Sequence, residues 1–421
     1  MNAIVVHPTD PRADMSSLTR ALSAARAGDV LLVGPGTYSP AQTGETLPLR
    51  IPPGVTVEGA GKDVCVIDGA GLFEPSFNPI RPDLAVVVLD DGASLSGVTV
   101  TNGGGHGIGV PSGASATIRN CLVSRHGDHG VFLCGVAEAV ITGCVFRDNG
   151  LQRFAPALPR GPGARQGHHI FAEARHGQRN RLLITDNTMR GCFADGLAFI
   201  CFFPEADGVA FSALVARNTI EESERGGLLF SGSFGPSRNH LQIVAVDNIL
   251  RNNKQFGVSV LTAIPLTDRT PQENVVTALM TGNDIAASPI GVLIQGAVGE
   301  SHRNVCHVTV DRNRIAACSK NAVRLAAAMG VDGVETRENS LRAVVSRNVI
   351  TGGAAAVAVQ GAGGTATSDC RQNVVTVRLL NNELDAPEEQ ALVVSDGRAG
   401  NRVAVAEGSQ AVTRTDEDLL T

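Results

Sequence analysis

Apolar residues along this chain come in short alternating bursts, not in long helical stripes. One burst recurs as HGIGV at 106–110, HGVFL at 129–133, HHIFA at 168–172, DGLAF at 195–199, GGLLF at 226–230, FGVSV at 256–260, IGVLI at 290–294, NAVRL at 321–325, AAVAV at 355–359 and QALVV at 390–394. A second burst ends in asparagine with an apolar residue two places on, with Asn120, Asn187, Asn218, Asn248, Asn283, Asn313, Asn348 and Asn382 in that place. From Asn187 onward these asparagines stand 30 to 35 residues apart. A further column, Asn239, Asn274, Asn304, Asn339 and Asn373, lies nine residues upstream. Bursts of four or five alternating residues predict strands. Asparagine suits the bends, because it tolerates left-handed backbone angles, and stacked asparagines hydrogen-bond from one layer to the next. No single unit of this kind buries a face, but a stack of them makes one core. The pattern predicts an all-β, single-stranded parallel β-helix, a solenoid of about ten or more coils.

The N-terminus reads differently. Residues 14–27, DMSSLTRALSAARA, predict an amphipathic helix capped by Asp14 or Ser16 and ended by Gly28. Such an N-terminal α-helical cap shields the strand edges at a solenoid's open end. The expected organisation is a segment with the capping helix over 1–27, the β-helix over 28–410 with a long insertion at 147–167, and a loose charged tail over 411–421. LTRALSAARAGDVLLVGPGTYS, followed by IPPGVTVEGAGKDVCVIDG, resembles the opening of the pectate-lyase-like β-helix superfamily. That resemblance implies a right-handed coil. It also implies a range of roles: polysaccharide lyase, glycoside hydrolase, epimerase, tailspike or adhesin. Lyases of the superfamily commonly pair a Ca²⁺-binding acidic cluster with an Arg or Lys base. Here no such acidic cluster repeats on one face, and Lys62, Lys254 and Lys320 are the only lysines. Trp is absent and Tyr occurs once, so aromatic sugar platforms are scarce as well. These departures argue against polyuronate cleavage and leave neutral sugars and other hydroxylated substrates open.

Composition narrows the partners. A net charge of −6 disfavours nucleic acid, which needs a basic surface. No run approaches the roughly 18 apolar residues of a membrane span. The opening MNAIVVHPTDPRAD lacks the basic and apolar regions of a signal peptide. The expectation is a cytoplasmic protein, or a secreted one whose leader was removed before this numbering begins. Nine cysteines without CxxC spacing read as reduced, mostly buried thiols, with Cys121 and Cys144 stacked at equivalent positions without a disulfide.

Aligning the coils brings candidate chemistry into one column. Two residues before the first apolar position stand His106, His129, His168 and Asp195 in successive coils. Histidine titrates near neutral pH, and a carboxylate one coil away orients or stabilises an imidazolium. His129, His168 and Asp195 are therefore the leading catalytic candidates, with His106 in the same column and Glu173 behind them. Twelve of the fourteen phenylalanines lie between 132 and 256, which suggests an apolar outer wall on coils two to six. Phe132, Phe171, Ile200, Phe202, Phe203, Leu229, Ser231 and Phe234 are candidate substrate contacts. Arg153, Arg160 and Arg165 on the insertion are placed to hold an anionic group, Arg153 and Arg165 foremost. A solvated structural ladder and a metal site remain open beside the acid/base reading, because His and Asp also ligate Zn²⁺. No cofactor is indicated. Three functions are open: an enzyme of lyase, isomerase/epimerase or hydrolase type acting on a saccharide or small hydroxylated metabolite; a natural-product tailoring enzyme (a cyclase or isomerase) for an apolar non-sugar substrate; and a non-catalytic binding or assembly β-helix. The protein is expected to be a monomer, or a homo-oligomer associating through the Phe-rich face.

Overall fold

The computed structural model describes residues 2–71, 81–150, 167–201, 206–265, 269–331, 334–363, 369–385, 391–395, 400–407 and 410–414. Each coil is three short strands that pair in parallel with their counterparts in the next coil. The coils are distributed over two compact units, one formed by Met1–Glu173 with Asn180–Ala198, the other by Ala174–Arg179 with Phe199–Thr421. Between them they hold about eleven turns of a parallel β-solenoid.

In the first unit the first strands of successive coils are Leu49–Ile51, Ala85–Leu89, His106–Val110, Val131–Cys134 and Ile170–Glu173. In-register parallel pairing sets Ile108 beside Val131 and Val131 beside Ile170. Valine, isoleucine and leucine point inward and stack on their own kind, and fill most of a narrow core. In the second unit, the second strands Ala210–Ala216, His240–Val246, Val275–Thr281, Val305–Asp311, Ser340–Ser346, Val374–Leu380 and Arg402–Glu407 form one sheet. Gln410–Arg414 turns back and pairs antiparallel with Arg402–Glu407.

The asparagine columns are hydrogen-bonded ladders. Asn248 Nδ2 donates to Asn283 Oδ1, Asn283 to Asn313, Asn313 to Asn348 and Asn348 to Asn382, all at 2.9–3.0 Å. The upstream column runs the same way through Asn274, Asn304, Asn339 and Asn373, and extends to Asn401. The bend itself is made one residue earlier than expected. Asp186, Arg217, Asp247, Arg312, Arg347 and Asn381 carry the left-handed backbone, with φ between 53° and 59°, while the following asparagine does the bonding. Asn120 is one of the bending residues (φ 50°), not a rung. Its rung position is held by buried Cys121, whose backbone N–H points at Cys144 Sγ at 3.5 Å. All nine cysteines are buried thiols.

The helix is shorter than the span 14–27. It runs Leu18–Ala24 with Ser17 at its N-cap, and buries Leu18, Ala21 and Leu22. Neither Asp14 nor Ser16 caps it. Asp14 accepts from the Val5 N–H. The helix start is instead closed by Glu45, which accepts from the backbone N–H groups of Leu18 and Thr19 and from two neighbouring hydroxyls, Ser17 Oγ and Thr19 Oγ1. A carboxylate at a helix start satisfies orphan donors and suits the helix dipole.

Candidate active site

The candidate column lies entirely in the first unit. Pairing of successive first strands carries the residues before them into a stack. The imidazoles of His106 and His129 are parallel within 3°, with centroids 5.1 Å apart, and those of His129 and His168 are 5.2 Å apart. Asp195 brings Oδ2 to 3.5 Å from His168 Nδ1. The four side chains that share a column in the sequence therefore share a stack in space. His106, His129, His168 and Asp195 are all buried.

The phenylalanines do not form an open wall. Phe132 and Phe171 are fully buried and lie on the histidines, Phe132 at 4.8 Å from His106 and Phe171 at 4.6 Å from His129 and 5.1 Å from His168. Glycine explains part of this. At Gly105 and Gly109 a Cβ would strike the carbonyls of Leu84 and Pro82, so the missing side chains let the turn Pro82–Leu84 lie against the outside of the strand His106–Val110. Glu173 is buried at the end of its strand, opposite Cys134. Ile200, Leu229 and Ser231, all buried, and half-buried Phe234 belong to the second unit. Arg153, Arg160, Arg165, Phe202 and Phe203 lie outside the described residues.

Sequence periodicity misses one member. Asp128 stands between two imidazoles, with Oδ2 at 3.5 Å from His106 Nδ1 and Oδ1 at 3.5 Å from His129 Nε2. It lies one residue off the column, in the corner GDHG at 127–130; an acid directly before a column histidine is the available signal. His126 and His169 also fall outside the column. His126 Nδ1 accepts from the Gly103 N–H and its Nε2 lies 3.1 Å from the Val100 carbonyl; His169 Nδ1 accepts from Asn149 Nδ2 at 3.0 Å. Both act as rungs of the core, and burial holds them neutral, pushing their pKa down to about 4 and about 3.

Backbone contacts fix the protons of the stack. The N–H of His168 donates to His129 Nδ1, and the N–H of Asp195 donates to His168 Nδ1, each at 3.2 Å. A nitrogen that accepts has no hydrogen, so the hydrogen of each of these two rings sits on Nε2. In His129 that proton faces Asp128. His106, Asp128 and His129 bring one donor atom each within 4.8 Å of one another, which is the donor set of a zinc site. The tautomer argues against it: a neutral imidazole cannot accept at Nδ1 and ligate through Nε2 at once.

Burial favours the uncharged forms of His106, His129 and Asp128. Burial pushes His106 down to about 3, helped by the neighbouring His126. Burial, then the imidazoles of His106 and His168, hold His129 well below the ordinary histidine range. Burial also lifts Asp128 well above the usual carboxylate range. A carboxyl whose neutral form is favoured by burial is suited to donate a proton. Asp128 is also the member nearest solvent, its side chain 11% exposed against 0–1% for its histidine neighbours and Asp195.

Two family models match the chain. One, described as a right handed beta helix region, covers residues 84–267, and the other, a protein of unknown function (DUF1565), covers residues 9–153. No curated protein matches. Among solved structures the chain is similar to the Azotobacter vinelandii mannuronan C-5 epimerase AlgE6 A-module, with 14% identity, 93% of each chain covered and a TM-score of 0.48. It is similar to the Dettilon tailspike protein gp208, with 13% identity, 94% of this chain and 68% of that one covered and a TM-score of 0.47. It is also similar to pectate lyase Pel9A, with 12% identity, 94% and 79% covered and a TM-score of 0.39. Identities this low speak to no activity. Coil architecture and the matched region together define a right-handed parallel β-helix protein.

Proposed function

We propose that this β-helix is an enzyme doing acid/base chemistry on a saccharide or other small hydroxylated metabolite, of lyase, isomerase/epimerase or hydrolase type. The observation that carries this is the buried run of three imidazoles with two carboxyl groups against it, Asp128 beside His106 and His129, and Asp195 beside His168. Packing alone does not call for it, since in the second unit the same column holds Gly226, Phe256 and Ile290. In this reading Asp128, whose neutral form burial favours and which lies nearest solvent, gives a proton to the substrate. Asp195 takes one, and the imidazoles of His129 and His168, whose Nδ1 atoms are engaged by backbone N–H groups, hold the two carboxyl groups in place. Glu173 and the arginines of the insertion are candidate substrate contacts. The sugar-like substrate class rests on the resemblance of the opening segment to the superfamily.

The test is turnover. Purified protein is incubated with panels of neutral and acidic oligosaccharides and of hydroxylated small molecules, and products are followed by mass spectrometry. With a substrate in hand, D128N, H168A and D195A should each lower kcat by about 10²-fold or more. Turnover unchanged in H129A and D195A removes the catalytic assignment. The near-complete burial of the array favours a second reading, a packing ladder in a non-catalytic binding or assembly β-helix. In that case the same variants lose stability, and no substrate in the panels is consumed.

A further inference from the structure

The outer face of the second-strand sheet in the second unit carries two columns of opposite character. Along one, register places Leu214, Val244, Leu279, Thr309, Val344 and Arg378 side by side on successive strands. Leu214, Val244 and Leu279 are each more than a third exposed. Along the other run Gln242, Thr277, His307, Arg342 and Thr376. A shallow groove follows these columns from the strand His240–Val246 to the strand Val374–Leu380. Arg342 and Arg378 line it, and no carboxylate among the described residues does. In a chain of net charge −6, a basic groove with an apolar stripe runs against the prevailing charge. It fits an occupant that is acidic at one end and apolar at the other.

We propose that the occupant is the chain's own C-terminal segment, Thr415–Thr421, sequence TDEDLLT. Asp416, Glu417 and Asp418 supply three consecutive carboxylates, and Leu419 and Leu420 two apolar side chains. The segment leaves Gln410–Arg414, the last strand of this same sheet. Four strand spacings of about 4.8 Å, roughly 19 Å, separate that strand from Val305–Asp311. Seven extended residues reach about 23 Å, enough to cross them. In that path the carboxylates pass over the strands that hold Arg378 and Arg342, and the leucines arrive at Val344 and Thr309, short of Leu279. The segment then covers the near end of the groove and neutralises two arginines that have no acidic partner among the described residues. The inference is independent of the proposed chemistry, whose residues belong to the other unit.

Zero-length cross-linking tests it. The chain has three lysines, so R378K places a single new amine on this face. Carbodiimide treatment of full-length R378K should join that amine to Asp416, Glu417 or Asp418 within one chain, as read by peptide mass spectrometry. The link should fall severalfold in 1 M salt, where the Debye length shrinks to about 3 Å, and vanish in the D416N/E417Q/D418N background. Absence of the link in folded R378K overturns the proposal. So does a link found only between differently isotope-labelled copies, which would make a second molecule the occupant.

Discussion

The backbone N–H of His168 donates to Nδ1 of His129 at 3.2 Å, and this single contact decides which nitrogen of His129 carries its proton. The proton must sit on Nε2, facing Asp128 3.5 Å away. Nitrogen-15 NMR of imidazole-labelled protein at pH 7 should therefore show His129 as the neutral Nε2–H tautomer, with Nδ1 shifted as a hydrogen-bond acceptor. A proton on Nδ1 would contradict the backbone contact and reopen the metal reading.

His169 gives the fold a dependence on pH. Its ring is fully buried, accepts from Asn149, and is held neutral down to about pH 3. In the unfolded chain it titrates near 6.5. The unfolded state thus binds the extra proton between those values, so the contribution is fully present above about pH 6.5 and is lost as pH falls toward 3. One such group adds a slope of at most about 1.4 kcal/mol per pH unit. Urea unfolding at pH 7.5, 6 and 5 should show stability falling with pH, and falling less steeply in H169N. Equal slopes in the two proteins would contradict the assignment.

The one-residue offset at the corners is testable with a pair of neighbouring substitutions. Gln372 has φ 58°, while Asn373 donates to Thr336 O and Asn401 Oδ1 and accepts from Asn339. Q372G relieves the left-handed strain and should be neutral or stabilising by up to about 1 kcal/mol. N373G removes a buried rung and should cost about 2–4 kcal/mol. Chemical denaturation of the two variants reads the difference. A reversed order would mean that the bend and the rung have been interchanged.

Glu45 should matter more than its place in a loop suggests. It receives four hydrogen bonds at the start of the helix Leu18–Ala24, two from backbone N–H groups. E45A should lower stability by about 1–3 kcal/mol, with hydrogen exchange faster first at Leu18 and Thr19. Exchange there that does not change would show the helix start to be held by something else.

Much of the architecture is legible in the sequence, because a solenoid writes its geometry as a period. The asparagine spacing marks the coils, and the His106–His129–His168–Asp195 column is a real stack since parallel register conserves position from coil to coil. The departures have local causes. Asn120 falls among the expected rungs because the pattern of asparagine before an apolar residue cannot say which of two corner residues takes the left-handed backbone. The expected helix is too long because Asp14 looks like a cap until its carboxylate is found on the Val5 N–H. Phe132 reads as facing solvent because the alternation within a strand is blind to a distant turn, which Gly105 and Gly109 admit. Asp128 escapes because it stands beside the period, where columns do not look.

Asn274, Asn304 and Asn339 each accept from the coil before and donate to the coil after, so the ends of any complete turn in this stretch are chemically alike. Excising residues 274–303 would bring Asn304 against the rung that Asn274 now meets, with donor facing acceptor as before. Length is thus a separable property of the second unit: whole turns are modules that evolution or an engineer can add or subtract while the joints stay the same.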